Sequence, residues 1–137
     1  MAKISSNSVE ISEHVLRLLI PSEILESFEL KEVIENEEEL LFDLLEKESK
    51  VPQQLKGKSV VLNGFMNATT LQSFPQNGKQ CYIHLRRRRW KEKEDEKSYH
   101  NEYEYTAIGT MATKSFGAFL KRNSLTITPS RIVQFLQ

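Results

Sequence analysis

The sequence has only one cysteine, Cys81, among its 137 residues, so no internal disulfide can form. Without a cysteine pair, nothing argues for an oxidising compartment. No stretch approaches the roughly 20 apolar residues of a membrane span, and no apolar signal region follows a basic start at the amino terminus. The sequence therefore predicts a soluble, cytoplasmic protein without a membrane span, and our main interpretation includes no membrane partner.

Motifs for catalysis and for metal binding are missing as well. The chain shows no nucleophile elbow, phosphate-binding loop or Ser/His/Asp arrangement. Its carboxylates fall in runs that we expect to be solvated, Glu37 to Glu39 and Glu92 with Glu94 to Glu96, whereas a two-metal site needs carboxylates that converge from buried positions. Cys81 and His84 would point to opposite faces of a strand and cannot share a tetrahedral ion. We therefore expect a protein that is not an enzyme and that holds no metal and no cofactor.

The formal net charge of zero hides an uneven distribution of charge along the chain. Residues 1–50 carry 5 basic and 13 acidic side chains, and residues 51–137 carry 14 basic and 6 acidic ones. Such a split is typical of a bipolar molecule with one basic face. The acidic half could either shield the basic half or repel DNA where contact is not wanted.

The most informative segment is the run Arg86 to Arg89, closed by Trp90, which follows the apolar stretch 81–85. Four adjacent guanidiniums repel one another and are best tolerated where they meet anions. Each one also offers a planar fork of donors that suits phosphate and the guanine edge. In a single strand from Gln80 to Trp90, alternation would place Arg86, Arg88 and Trp90 on one face with Tyr82 and His84, and Arg87 and Arg89 on the other with Ile83 and Leu85.

The remaining patterns predict an α+β fold. Helical spacing and caps predict a helix from Val9 to Ile20 with Ser12 as N-cap, and Pro21 either interrupts this helix or opens a new turn from Ser22 to Ser27. A further helix is predicted from Thr113 to about Arg122, and another that starts at Thr128-Pro129. Strands are predicted at Ser59–Phe65, at Thr69–Phe74 with Pro75 as its end, and at 101–108, with a hairpin turn at Gln76–Lys79 and a solvated loop at Lys91–His100.

Residues 28–46 fit two interpretations. The glutamates favour a helix through the middle of the segment. Phe28, Leu30 and Ile34 alternate with polar residues, however, and Asn36 suits a turn. We favour a hairpin whose two strands carry acidic outer faces. The predicted architecture is a mainly antiparallel β-sheet with an N-terminal helix and one or two C-terminal helices, formed by residues 1–122 as a single DNA-binding-like domain, with residues 123–137 as a helical tail.

The proposed pair of antiparallel strands, 80–90 and 101–108, is a ribbon that would fit the major groove of DNA. In this prediction the four arginines contact phosphates and one or two of them reach base edges. Further phosphate contacts are predicted for Lys79, Lys91 and Lys93, and a stacking or buttressing role for Trp90 and Tyr82.

Other interpretations of the same residues stay open. The arginine run could protect an edge strand from aggregation, or form the basic side of an ion-paired sheet that faces Glu29 to Glu48. It could also contact a membrane surface or an acidic protein. The aromatic residues Trp90, Tyr82, Tyr103 and Tyr105 could stack on bases or could instead pack against the helices.

The central residues also resemble a known family. The series Phe74-Pro75, Asn77-Gly78-Lys79, Tyr82 to Leu85, Arg86 to Arg89 and Trp90 is similar to the N-terminal region protein of ISAon1-type insertion-sequence transposases, within the broader ISL3 group. The segment Pro21 to Phe28 and the helix Thr113 to Leu120 are similar to the opening and closing segments of that family. The resemblance covers about residues 18–122, and its most specific part is the Arg-Arg-Arg-Arg-Trp core.

The resemblance implies a non-catalytic, DNA-binding piece of a bacterial transposition system. Its partners would be double-stranded DNA at the terminal inverted repeats of the mobile element and a catalytic transposase chain encoded downstream, and it could form a homodimer. Related proteins of the group carry a zinc ribbon around a similar basic strand. Because Cys81 stands alone here, packing must hold the core instead. The alternatives are a protein-interaction module that docks on the transposase and an orphan nucleic-acid-binding regulator.

Overall fold

A computed structural model describes residues 2–5 and 12–123. The chain forms the α+β fold with mostly antiparallel strands that the sequence predicts. Its helices are α1 (Glu13–Leu19), α2 (Ser22–Leu25), a short 3-10 turn at Gln53–Leu55, and α3 (Lys114–Arg122). Its strands are β1 (Ala2–Ser5), β2 (Phe28–Glu35), β3 (Glu39–Glu46), β4 (Val60–Phe65), β5 (Thr69–Gln76), β6 (Lys79–Arg86), β7 (Arg88–Glu92) and β8 (Ser98–Tyr99). Among the described residues, no helix is long and apolar enough to cross a membrane.

The strands form two sheets. The larger sheet has the order β1-β2-β3-β6-β5, and the smaller one has the order β4-β7-β8. Strands β3 and β6 run parallel, whereas the other pairs are antiparallel. The parallel pair brings the acidic strand β3 directly beside the strand that leads into the arginines, so the two oppositely charged halves of the chain meet.

The hairpin interpretation of residues 28–46 is confirmed. Asn36 closes the turn, because its Oδ1 accepts hydrogen bonds from the backbone N–H groups of Glu38 and Glu39. The acidic outer faces are only partly present. Glu39 at 3% exposure and Glu46 at 0% are buried, although both lie in strands with a largely acidic polar face.

One face of the large sheet packs against α1 and α2. The largest buried cluster gathers apolar side chains from both helices and from four strands, among them Ile24, Phe28, Phe42, Ile83 and Leu85. Ser12 caps α1 by accepting from the Val15 N–H, as predicted. The opposite face of the sheet holds a smaller cluster of Ile34, Leu41 and Tyr82.

Helix α3 covers the edge of β5. Thr113 is its N-cap, as predicted, and accepts from the Phe116 N–H. The Phe116 ring meets that of Phe74 edge to face at 5.0 Å. The predicted helix start at Thr128-Pro129 and nearly all of the predicted tail lie outside the described residues.

The prediction of one continuous strand from Gln80 to Trp90 is wrong. Arg87 separates β6 from β7, and the two strands belong to different sheets. The reason is the length of the neighbouring strands. The pairing of β5 with β6 begins at Thr69 opposite Leu85, and the pairing of β3 with β6 ends at Arg86. Beyond that point the chain finds a new partner in β4, where Arg88 lies opposite Phe65.

The predicted return strand at 101–108 does not form, so the two-stranded ribbon does not exist. Both sides of β6 are already occupied, by β3 and by β5. Residues 101–105 are irregular, and Thr106 makes only an isolated bridge to Thr113. The alternation of Tyr103 and Tyr105 has a different cause: their rings stack at 5.2 Å and both meet Phe28 edge to face.

Two further boundaries differ from the predictions. The segment predicted as a solvated loop contains the end of β7 and all of β8, which pair as a small hairpin. Pro75 does not end β5, which continues to Gln76 after an irregularity in its pairing with β6. A proline is tolerated there because β5 is an edge strand. The turn after it is as predicted, with Asn77 and Gly78 at φ of 50° and 78°.

Candidate nucleic-acid interface

Arg86 and Lys79, two of the residues predicted to contact DNA, instead face carboxylates of the acidic half of the chain. Arg86 Nη2 lies 3.3 Å from Asp43 Oδ2, on the neighbouring strand β3. Lys79 Nζ lies 2.6 Å from Glu35 Oε2. The acidic half of the chain therefore shields these two cations, which is one of the two roles that the sequence left open for it.

Arg88 is deeply buried, with 7% of its surface exposed. Its Nε donates to the backbone carbonyl of Glu46 at 2.7 Å, and its backbone N–H donates to Glu46 Oε1 at 2.9 Å. Its Nη1 lies 3.9 Å from a carboxylate oxygen of Glu48. A guanidinium held this way joins β3 to the small sheet and is not available to a phosphate group.

Glu46 is a buried connector that the sequence prediction missed. Besides the Arg88 N–H, its carboxylate accepts from Asn101 Nδ2 at 3.0 Å and from the Tyr103 hydroxyl. Burial raises the pKa of Tyr103, and the bond to Glu46 raises it further, so this hydroxyl stays neutral and donates. A sequence signal existed: Glu46 shares the period-2 face of Phe42 and Leu44, which points into the core.

Arg87 lies between the two sheets and holds the irregular segment after β8. Its Nη1 donates to the Asn101 carbonyl at 2.9 Å and to Glu102 Oε2 at 3.2 Å. Its side chain is only 18% exposed, whereas that of Glu102 is 76% exposed. A hydrogen bond from His100 lowers the pKa of Glu102, and the charge of Arg87 lowers it further, so Glu102 is ionised.

The two aromatic residues predicted to stack on bases or to buttress the site are in the interior. Tyr82 is 2% exposed and Trp90 is 5% exposed. Burial raises the pKa of Tyr82 to about 12. Because neither ring has an accessible face, both residues pack in the interior and cannot stack on bases.

A polar row crosses the large sheet next to Arg86. Asp43, His84 and Thr70 are neighbours on three adjacent strands, and His84 Nδ1 lies 3.0 Å from Thr70 Oγ1. Burial raises the pKa of Asp43 and lowers that of His84. Within residues 2–5 and 12–123, no group of three His, Cys, Asp or Glu side chains is arranged to hold a metal ion.

Of the cations that were predicted to contact DNA, those that remain available lie on one face of the small sheet. Arg89 and Lys93 are exposed and Lys91 is half-buried. Lys91 pairs with Val61 of β4 on one side and with Ser98 of β8 on the other. Arg89 precedes Lys91 by two residues in the strand, so the two side chains lie on the same face of the sheet. In the described part of the chain, none of the three makes an ion pair with a carboxylate. We call Arg89, Lys91 and Lys93 the basic face.

A bulge in β4 positions Arg89. The pairing of β4 with β7 shifts between Leu62 and Phe65, and Gly64 in this bulge has a φ of +83°. A Cβ atom at Gly64 would lie 3.2 Å from Arg89 Nη2, so the guanidinium passes closely over the glycine. Bulges of this kind commonly re-aim a side chain next to a site. Sequence patterns alone gave no signal that Gly64 would serve Arg89.

No family model, curated protein or solved structure matches this chain. The resemblance to insertion-sequence proteins therefore stays a prediction.

Proposed function

We propose that this protein is a non-catalytic DNA-binding protein and that the basic face of the small sheet makes the contact. The observation that carries the proposal is the position of Arg89, Lys91 and Lys93, which project from successive outward positions of β7 and of the turn that follows it. Asn63 and Ser98 lie beside them and are hydrogen-bonded to each other. Cations with polar neighbours are suited to phosphate contacts and to groove contacts.

The interface is smaller than the sequence suggested. Arg86, Arg87 and Arg88 are paired with protein groups and act as connectors between elements. Three cations that each neutralise one phosphate give a slope of log affinity against log salt of about −2.7. A full set of free arginines with flanking lysines would give a steeper dependence, so the slope measures how many cations take part.

A salt-titrated bandshift on duplex DNA tests the proposal. Replacing Arg89 with Ala should weaken binding and reduce the magnitude of the salt slope by about 0.9. Lys114, an exposed lysine on α3, provides the matched control, because Lys114→Ala removes one surface charge away from β7. Equal affinities and slopes for wild type, Arg89→Ala and Lys91→Ala would refute the proposal.

The biological setting follows from the sequence resemblance. In this proposal the protein acts in the bacterial cytoplasm, recognises the terminal inverted repeats of an insertion sequence, and helps to position a catalytic transposase encoded downstream. A homodimer would present two basic faces to paired sites. The test is to compare binding to the repeats that flank the gene with binding to shuffled duplexes of the same length.

A second candidate is a protein-interaction module that docks on the transposase. The specific observation in its favour is that three of the four arginines pair inside the molecule, while exposed Glu94, Asp95 and Glu96 lie next to the basic face. A pull-down with the downstream protein after nuclease treatment distinguishes the two candidates. Retention without DNA, together with no bandshift, would favour docking over DNA binding.

A further inference from the structure

A cleft of about 220 Å³ opens at the end of the large sheet where β5 begins and β6 ends. Its apolar lining comes from Leu71, Leu85 and Phe28, and Tyr103 and Tyr105 form part of its wall. Threonines 69 and 106, Met111, Glu102 and Arg87 complete the lining. No residue of the basic face lines this cleft.

We propose that the cleft binds a small organic anion that consists of one aromatic ring and a carboxylate. Size selects the single ring. Sites for drug-sized ligands usually measure about 300–1,000 Å³, whereas an apolar cavity of about 150 Å³ already accommodates benzene. The cleft therefore has space for one ring and a carboxylate but not for a nucleotide.

The tyrosines provide a prearranged aromatic wall. Their rings stack nearly parallel, with an interplanar angle of 13°, and Phe28 meets both edge to face. Both hydroxyls are bonded to the protein, that of Tyr103 to Glu46 and that of Tyr105 to the Glu23 carbonyl. The rings are thus fixed before any ligand arrives, which reduces the entropy lost on binding.

Arg87 selects the anion. A guanidinium fork matches a carboxylate in a bidentate geometry. In the free protein one carboxylate already lies against it, that of Glu102, whose side chain is 76% exposed. Because Arg87 is itself only 18% exposed and is also held by the Asn101 carbonyl, it keeps its place when Glu102 swings into solvent. Glu102 therefore occupies the position that the ligand carboxylate would take.

The test is a titration of the full chain with benzoate, followed by two-dimensional NMR. We expect saturable shifts confined to residues of the cleft, such as Leu71, Thr106 and Met111. Benzamide has the same shape without the charge and should bind at least about tenfold more weakly, because it loses the charged hydrogen bond to Arg87. Benzylamine should not bind, because its positive charge would face the Arg87 guanidinium. Equal binding of benzamide, or no saturation by about 10 mM benzoate, would overturn the proposal, since a fitting ligand of this size should bind at about 1 mM or tighter.

Two variants test the role of Arg87 directly. Arg87→Met should weaken benzoate binding by about tenfold or more. Glu102→Gln should strengthen it several-fold, because it removes the competing negative charge from a side chain that is 76% exposed. Arg89→Met, outside the cleft, is the control and should leave benzoate affinity unchanged while weakening DNA binding. Weaker or unchanged benzoate binding by Glu102→Gln would contradict the assignment, whatever the DNA result.

Discussion

The buried carboxylate of Glu46 gives the sharpest stability prediction. Its side chain is fully buried and accepts hydrogen bonds from the Arg88 N–H, from Asn101 Nδ2 and from the Tyr103 hydroxyl. Replacing Glu46 with Leu introduces an apolar side chain of similar size and leaves these donors without their acceptor. An unsatisfied buried donor costs about 1–3 kcal/mol; the bond from the Arg88 N–H is buried, and the other two are partly buried.

The expected loss in the free energy of unfolding is therefore about 3–5 kcal/mol. Glu46→Gln should lose less, about 1–2 kcal/mol, because the amide oxygen still accepts and the Tyr103 hydroxyl can turn to accept from the amide. Against a typical total stability of about 5–15 kcal/mol, the leucine variant should show a large shift in the urea midpoint.

Urea unfolding followed by two signals measures this effect. Trp90 is the only tryptophan and is buried in the small sheet, so its fluorescence reports on that sheet. Circular dichroism reports on the whole fold. Glu48→Gln is the matched control, because that carboxylate is 75% exposed and lies 3.9 Å from Arg88; it should change stability by less than about 0.5 kcal/mol. A leucine variant within about 1 kcal/mol of wild type would refute the connector role.

Three further substitutions test other parts of the fold. Gly117→Ala should destabilise the protein by about 1–3 kcal/mol despite the better helix propensity of alanine, because the added Cβ would overlap the Ala107 side chain; a raised melting temperature would contradict this. Gly78→Ala should cost about 1–2 kcal/mol in urea unfolding, since its φ of 78° is unfavourable for a residue with a Cβ. The pKa of His84 is lowered from 6.5 by burial, so the unfolded chain binds a proton more readily and stability should fall as the pH drops below about 6.5. In His84→Gln this part of the decline should disappear from pH-dependent urea titrations; an unchanged pH profile would show that His84 does not cause it.

Local patterns predicted the elements whose signals are complete within a short segment. The capping residues Ser12 and Thr113 and the turn at Asn77-Gly78 are confirmed because each acts on its own neighbouring backbone. The hairpin of residues 28–46 is confirmed for the same reason: alternation of apolar side chains overrode the helix propensity of the glutamates.

The failures concern partners that are distant in the chain. The apolar stretch before the arginines lies between β3 and β5, and nothing in its own sequence shows that β3 would take the place predicted for residues 101–108. The strand break at Arg87 likewise depends on where β5 and β3 stop pairing. Residue 46 was missed because a glutamate after an apolar run looks like the start of a solvated loop, although its period-2 position pointed inward.

Strand register, more than composition, determines which of the four arginines are paired inside the protein and which is exposed. Arg86 lies next to Asp43, and Arg88 folds back onto Glu46, because β3 runs parallel to β6 and ends where the chain changes sheets. A guanidinium with several donors suits such a junction, since it can bind a carbonyl and a carboxylate from different elements at once. The same run thus serves two purposes. Arg86 pairs with the neighbouring strand of the large sheet, Arg87 holds the segment at Asn101, and Arg88 joins the large sheet to the small one. Arg89, the first of the four to face outward from the small sheet, begins the basic face. A charge run is therefore a candidate binding site only for those members whose neighbouring strands bring no opposite charge to them.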